Sequence, residues 1–282
     1  MTTAPITTVS TPHALRPVTP RPPAVARRAG FLRDVMSVAG RSLRQARRQP
    51  AEFLGPLFIP VFFFAVFVGS LEDLLGGNGV DDFRAFQLPV AIVVATTGLT
   101  RATALVNDIT TGYFDRLLMA PVNRLALLLG LMLTDLMMVI GMSVPVLVLG
   151  FAVGVEFTTG VLGVLAFVGI AAAWALGYVG WLYAVALRTG NPTITSQAFL
   201  MFFPFVFLTT TIVPQEQMTG WLSAVADVNP LTYVFAALRS LVTDGWDGPT
   251  LLRAFVAIGV VAVLTHTMAL RALRGRVSSG RV

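Results

Sequence analysis

The side chains that carry most enzyme chemistry are scarce in this chain of 282 residues. Cysteine is absent, which excludes disulfides, thiol nucleophiles and cysteine-zinc sites. The only histidines are His13 and His266, and neither belongs to a Ser-His-Asp set or to a His/Asp/Glu cluster with metal-ligand spacing. The sequence therefore predicts no catalytic residue and no metal or cofactor site, and the chain is not expected to be an enzyme.

Lysine is also absent, because all 20 basic residues are arginine. The G-x-x-x-x-G-K-[ST] loop that binds nucleotide phosphates needs a lysine, so this chain cannot contain one. If the protein takes part in ATP-driven work, we expect ATP and magnesium to bind a separate partner subunit.

The ionisable side chains inside long apolar runs include Arg101, Asp135 and His266. A charge is costly in lipid unless it is paired, so we predict an intramembrane ion pair between Arg101 and Asp135. The alternative is that each side chain reaches separately toward the nearer membrane interface. For His266 we expect a hydrogen bond to a neighbour rather than a role in proton transfer.

The elements that position these residues are predicted to be membrane-spanning helices. Hydrophobic residues make up 55% of the chain and charged residues 12%, with a mean hydropathy of +0.78, whereas soluble domains carry roughly 25% charged residues. The apolar residues are continuous rather than alternating, which favours helices over barrel strands. Six apolar runs are long enough to cross about 30 Å of hydrocarbon: Phe53–Leu71, Phe86–Val106, Leu125–Val153, Val161–Leu187, Thr193–Val213 and Leu251–Leu270.

The distribution of arginine predicts how the six spans are oriented. Nine arginines precede Gln49 and four more follow Leu270, and six spans place both termini on one side. Positive charge accumulates on cytoplasmic flanks, so we expect both termini in the cytoplasm. The net charge of +6 then indicates anionic membrane lipids as partners, and not nucleic acid, because no aromatic-basic recognition motif accompanies the arginines.

Composition divides the chain into four segments. Residues 1–30 are rich in Thr and Pro and are predicted to form a disordered cytoplasmic extension. Residues 31–50 are predicted to form an amphipathic helix in the membrane interface, and an amphipathic helix packed on a soluble partner is the alternative. Residues 51–270 hold the six spans, and residues 271–282 form a basic cytoplasmic tail. The arginines that share the polar face of the interfacial helix include Arg33, Arg41, Arg44 and Arg48.

Two motifs outside the spans resemble parts of one family of membrane proteins. The first, a polar island between spans two and three, contains in order Asp108, Gly112, Asp115, Arg116, Leu117, Leu118, Pro121, Asn123 and Arg124. The second lies between spans five and six and reads IVPQEQMTGW from Ile212 to Trp221 and NPLTYVFAALR from Asn229 to Arg239. With these motifs the chain resembles the membrane subunits of ABC-2 type exporters, most closely the daunorubicin-resistance type permeases for drug or lipid efflux. Asn123 replaces a common serine of that family, and Tyr113 a common threonine.

The resemblance implies an all-α integral membrane protein with six transmembrane helices, the interfacial helix, a short cytoplasmic coupling helix in the island and a short outer re-entrant helical hairpin between spans five and six. It implies a bacterial inner-membrane exporter of a drug, lipid or glycolipid, in which two permease copies assemble with two ATP-binding subunits. The predicted ATPase contacts are Asp108, Gly112, Tyr113, Phe114, Asp115, Arg116, Pro121 and Arg124. The predicted outer gate consists of Pro214, Asn229, Pro230, Tyr233 and Arg239.

Other interpretations of these features stay open. The island could be a solvated connecting loop, and the hairpin could be plain packing support. A six-span protein with intramembrane charges could also be an ion-coupled secondary transporter or a channel, although the sequence shows no clear inverted repeat with broken helices. A membrane scaffold without transport would leave both motifs unexplained.

Overall fold

A computed structural model describes residues 30–47, 51–75, 82–98, 100–113 and 124–278. Residues 1–29 of the predicted extension and residues 279–282 of the basic tail lie outside this part of the chain. Apart from turns, caps and a 3₁₀ turn at Gln215–Gln217, the described residues are α-helical. The helices are α1 (Phe31–Arg47), α2 (Ala51–Leu75), α3 (Phe83–Thr97), α4 (Ala102–Thr110), α5 (Arg124–Ala152), α6 (Gly160–Thr189), α7 (Pro192–Leu200), α8 (Phe202–Phe207), α9 (Gly220–Val228), α10 (Pro230–Val242) and α11 (Gly248–Ser278).

The described helices form five to six candidate membrane spans, where the sequence predicts six. Five segments are long and apolar enough to cross a membrane: α2, α3 with α4, α5, α6 and α11. The bent pair of α9 and α10 is the sixth if it counts as one span, and its two helices meet at 84°. The all-helical membrane architecture is therefore confirmed. The interfacial position of α1 and the re-entrant path of α9 and α10 stay predictions.

The second span is interrupted near its middle. The sequence predicts one continuous helix over Phe86–Val106, but α3 ends at Thr97 and α4 begins at Ala102 within a single candidate span. Thr97 Oγ1 donates a hydrogen bond back to the Val93 carbonyl at 2.6 Å, and Thr96 makes a similar bond. Hydroxyl bonds of this type bend helices, and a glycine follows at position 98, where it lowers helix propensity further.

The fifth span is shorter than the sequence predicts. The predicted run is Thr193–Val213, but α7 and α8 end at Phe207 and form only a short apolar segment. Asn229, which precedes α10, donates Nδ2 hydrogen bonds to the carbonyls of Phe205 at 2.7 Å and Leu208 at 3.0 Å. The last carbonyls of a helix lack intrahelical donors. Asn229 supplies donors to two of them, so the helix can end at Phe207. The predicted end at Val213 is therefore wrong.

Pairs of helices in the bundle pack closely where one of them has a glycine. A Cβ added at Gly180 of α6 would lie 2.7 Å from Thr265 Oγ1 of α11, and one added at Gly130 of α5 would lie 2.6 Å from Val38 Cβ of α1. Small residues permit these separations, and the resulting dispersion contacts drive helix association in lipid. α1 therefore packs directly on α5, with Ala39 buried between them.

Candidate functional site

The described part of the polar island lies at the end of α4. α4 ends at Thr110, and Gly112 has a φ of +69°, a left-handed conformation that glycine adopts without steric cost. The chain therefore leaves α4 through the left-handed turn at Gly112. Tyr113 follows as the last described residue before α5 begins at position 124.

Arg41 joins α1 to the island. Its Nη2 atom lies 2.9 Å from Asp108 Oδ2 of α4, and its guanidinium lies 4.8 Å from the ring centroid of Tyr113. The ion pair is partly buried, so solvent screens it less than a fully exposed pair, and the cation-π contact adds to it. Sequence reasoning assigned Arg41 to the interfacial helix and Asp108 to the ATPase contact. The structure brings these two predicted surfaces together.

α1 also contacts the helix that leaves the island. Thr134 Oγ1 of α5 donates to the Ala39 carbonyl of α1 at 3.3 Å, and Val38 of α1 packs against Gly130 of α5. α1 therefore touches both α4, which leads into the island, and α5, which follows it.

The other residues predicted for this surface are only partly described. Arg124 begins α5, but its side chain lies outside the described part of the chain. Arg33 and Arg44 are exposed on α1, which is compatible with a polar face toward phosphates or cytosol. Their roles, and those of the ATPase contacts, stay predictions. The remaining predicted residues lie outside the described ranges: Phe114, Asp115, Arg116, Pro121 and Arg48.

The intramembrane charges meet at the break between α3 and α4. The Arg101 backbone N–H donates to Asp135 Oδ1 of α5 at 2.7 Å, and the Tyr183 hydroxyl of α6 donates to Asp135 Oδ2 at 2.5 Å. All three residues are at most 2% exposed. The structure thus joins Arg101 and Asp135 through the backbone of Arg101. The predicted ion pair between guanidinium and carboxylate stays a prediction.

The Asp135 side chain lies beside the N-terminus of α4. The first N–H groups of a helix have no intrahelical acceptor, and negative charge at this end also interacts favourably with the helix dipole. α4 starts one residue after Arg101, so a single carboxylate links the broken second span to the third and fourth spans. Sequence reasoning missed Tyr183, although a tyrosine hydroxyl inside an apolar span signals a hydrogen-bond partner.

Arg239 of α10 fastens the hairpin of α9 and α10 to the bundle. Its Nε donates to the Phe86 carbonyl of α3 at 3.1 Å, and its guanidinium lies 3.4 Å from the centroid of the Phe86 ring. Its Nη1 donates to Thr210 Oγ1 at 2.9 Å, and its Nη2 donates to the Thr210 carbonyl. The hairpin is thereby tied to α3 and to the turn after α8. No local signal marks Phe86 as the partner, because it is one of 20 phenylalanines.

The other residues predicted for the outer gate lie near this contact or within the hairpin. Besides bonding to carbonyls at the end of α8, Asn229 caps α10 through Oδ1, and Pro230 takes the first helical position. The Tyr233 hydroxyl donates to the Asp227 carbonyl of α9 at 2.6 Å, which holds the bend of the hairpin. Pro214 precedes the 3₁₀ turn that leads into α9. A gate function for this cluster stays a prediction.

His266 makes local hydrogen bonds on α11. Its Nδ1 lies 2.8 Å from the Ala262 carbonyl and 3.3 Å from Thr265 Oγ1. The predicted hydrogen bond to a neighbour is therefore confirmed.

Comparison with known proteins adds a family context to this geometry. Residues 33–243 match the family described as ABC-2 type transporter. The chain is 27% identical over 233 residues to the daunorubicin resistance ABC transporter permease protein of Streptomyces coeruleorubidus, an alignment that covers 79% of this chain and 80% of that protein. It is 24% identical over 217 residues to the probable doxorubicin resistance ABC transporter permease protein of Mycobacterium tuberculosis, covering 76% of this chain and 79% of that protein. The family match includes α1, the island and the hairpin.

Proposed function

Because the chain belongs to the ABC-2 type transporter family, we propose that it is the membrane-spanning permease subunit of an ATP-driven exporter. Its relatives are named as ABC transporter permeases, and the chain has no lysine for a phosphate-binding loop. ATP and magnesium bind a separate ATP-binding subunit, which hydrolyses the nucleotide. This chain supplies the route across the membrane.

The observation that carries the proposal is the contact of Arg41 with Asp108 and Tyr113. A coupling segment needs a rigid connection to the spans, because a flexible loop would absorb a displacement. The contact connects the island to α1, and α1 packs on α5. A movement of the ATP-binding subunit at the island is therefore passed to two helices at once.

The surface of the island that binds the ATP-binding subunit combines aromatic side chains with charged side chains. Tyr113 and Phe114 are aromatic side chains of the kind that carry much of the energy of protein interfaces. Asp115 and Arg116 set orientation and register more than affinity. Tyr113 is exposed, which leaves part of its ring available to a partner while Arg41 lies against it.

Within the membrane, the movement reaches the break between α3 and α4. α4 runs from this break to the island, and Asp135 binds the backbone at its start. A short helix held at both ends turns as a unit, so a displacement of the island tilts α4 about the contact with Asp135. The tilt changes the packing among the second, third and fourth spans and switches access to the pathway.

At the opposite end of the bundle, the hairpin acts as the outer gate. Asn229 binds the hairpin to the end of α8, and Arg239 binds it to the turn that follows α8. The gate therefore opens with the fifth span and not independently of it. Both termini and the island lie in the cytoplasm, and the arginine face of α1 meets anionic lipid of a bacterial inner membrane.

The cargo is a hydrophobic or amphipathic molecule such as a drug, a lipid or a glycolipid. Two permease copies form the pathway between them. The exposed side chains of the spans are mostly phenylalanine, valine, leucine, isoleucine and methionine, and pockets for such cargo are largely apolar. The relatives named for resistance to daunorubicin and doxorubicin support an amphipathic cargo of this kind.

Co-purification tests the proposal. The tagged chain is expressed together with its ATP-binding subunit, and the purified complex is reconstituted in liposomes. We expect two copies of each subunit and ATP hydrolysis that rises with a transported drug. Transport by the chain alone, driven by an ion gradient without ATP, would support a secondary transporter and contradict the proposal.

A further inference from the structure

A groove of about 1270 Å³ runs along one flank of the bundle at the hairpin end. α6 and α11 form its floor, and α8 and the hairpin form its wall. The volume exceeds the roughly 300–1,000 Å³ of typical small-molecule pockets. Four apolar α11 side chains of the groove are more than half exposed, so it opens sideways along the helix: Leu252, Val256, Val260 and Leu264. Its apolar lining includes Trp174, Tyr178, Trp181, Val256, Val260 and Leu264.

The length of the groove corresponds to one leaflet of a bilayer. Arg253, Val256, Val260 and Leu264 share one face of α11, since they follow one another at intervals of three or four residues. At about 1.5 Å per residue, the face extends roughly 17 Å from Arg253 to Leu264. The hydrocarbon core is about 30 Å thick, so the groove ends near its middle. A lipid acyl chain occupies one leaflet, which matches the length of this groove.

One basic and one acidic side chain lie at the end of the groove beside the hairpin. Arg253 lies in the second turn of α11 and is exposed, and Asp227 lies near the end of α9. Gln215 Nε2 donates to Asp227 Oδ1 at 2.6 Å, and Tyr233 donates to the Asp227 carbonyl at 2.6 Å. These bonds hold the carboxylate at the mouth of the groove. A cation and an anion at one mouth match a headgroup that carries a phosphate and an ammonium group.

We propose that this groove binds one membrane phospholipid with a zwitterionic headgroup. Its phosphate lies at Arg253, its ammonium at Asp227, and one acyl chain follows α11 as far as Leu264. The bound lipid is a resident of the groove and fills the space between the hairpin and α11. The site concerns the flank of a single chain and does not depend on the identity of the exported cargo.

The test measures lipid retained by the purified full-length chain. The protein is reconstituted in vesicles of phosphatidylethanolamine and phosphatidylglycerol and extracted into mild detergent, and bound lipid is quantified by native mass spectrometry. We expect bound phosphatidylethanolamine in excess over phosphatidylglycerol. Ala257→Trp fills the groove and should abolish retention, whereas Val263→Trp, on an exposed part of α11 outside the groove, should not.

Two further variants test the headgroup contacts without filling the groove. Arg253→Gln removes a charge-assisted contact and should lower retention of both lipids by about tenfold. Asp227→Asn should remove the preference for phosphatidylethanolamine while leaving phosphatidylglycerol bound. Equal retention by Ala257→Trp and Val263→Trp would overturn the proposal. So would a lipid-free chain whose self-association is lost only in Ala257→Trp, because the groove would then bind a second copy.

Discussion

Two carboxylates hold the two ends of α4. Asp108 binds Arg41 of α1, and Asp135 of α5 accepts the Arg101 N–H where the helix begins. The first contact ties α4 to α1, and the second ties it to the buried part of α5. In the proposed mechanism, α4 therefore carries a displacement between two defined points, and each point can be altered by single substitutions.

We expect the Arg41–Asp108 pair to affect coupling more than stability. Arg41→Asp or Asp108→Arg alone should lower transport per ATP hydrolysed, while the free energy of unfolding should fall by about 1 kcal/mol or less, because partly exposed pairs contribute little. The double variant Arg41→Asp with Asp108→Arg should recover most of the transport. Arg44→Asp on the same helix is the matched control and should remain coupled. A double variant no better than either single one would contradict a role for the pair.

The Tyr183 hydroxyl should contribute to stability through Asp135. Tyr183→Phe removes the O–H donor of a buried hydrogen bond, and we expect a loss of roughly 0.5–2 kcal/mol in the free energy of unfolding in detergent. In an Asp135→Asn background the same substitution should cost less. Tyr178→Phe is the control, because the Tyr178 hydroxyl has no hydrogen-bond partner among the described residues. Equal effects of the two substitutions would show that the contact with Asp135 does not matter.

Motif positions could be predicted from the sequence, but the contacts between them could not. The island and the hairpin stand out because they are polar stretches between apolar runs, and Arg239 was singled out because it closes the second family motif. Its partner Phe86 lies 153 positions away, and Arg41 lies 67 positions from Asp108. Such pairings follow from how the spans pack, which local composition does not specify.

At the scale of elements, the long uniform apolar runs predicted helices correctly. α2, α5, α6 and α11 include nearly all of their predicted runs, because an uninterrupted apolar helix satisfies its own backbone. The break between α3 and α4 and the early end of α8 were not predicted. α8 ends early because of a residue that is distant in sequence. Asn229, which follows α9, donates hydrogen bonds to the carbonyls at the end of α8.

The docking of α1 on α5 can be tested at Gly130. Gly130→Leu should push Val38 and α1 away, because even a Cβ would lie 2.6 Å from Val38. We expect the free energy of unfolding to fall by about 1–3 kcal/mol, the usual cost of overpacking, and α1 itself to become more sensitive to protease. Gly141→Leu on the same helix is the control, because nothing lies within 4 Å of the added Cβ there. If both variants behave alike, α1 is not held by this contact.

At the scale of the whole molecule, the proposal requires one orientation in the membrane. The chain has no cysteine, so labelling of a single introduced cysteine shows on which side of the membrane that position lies. We expect Glu216→Cys, near the hairpin, to react with an impermeant maleimide in intact cells, and Arg44→Cys on α1 to react only after permeabilisation. The arginine-rich flanks are the physical reason. The opposite labelling pattern would place the island on the wrong side for an intracellular ATPase.

The central claim is that the island couples this permease to ATP hydrolysis on a separate subunit. The most direct measurement is transport per ATP hydrolysed by the reconstituted complex that carries Phe114→Ala with Arg116→Glu. We predict normal membrane insertion and dimer formation, with ATP hydrolysis no longer stimulated by cargo and transport lost. Unchanged cargo-stimulated hydrolysis and unchanged transport in this variant would contradict the account.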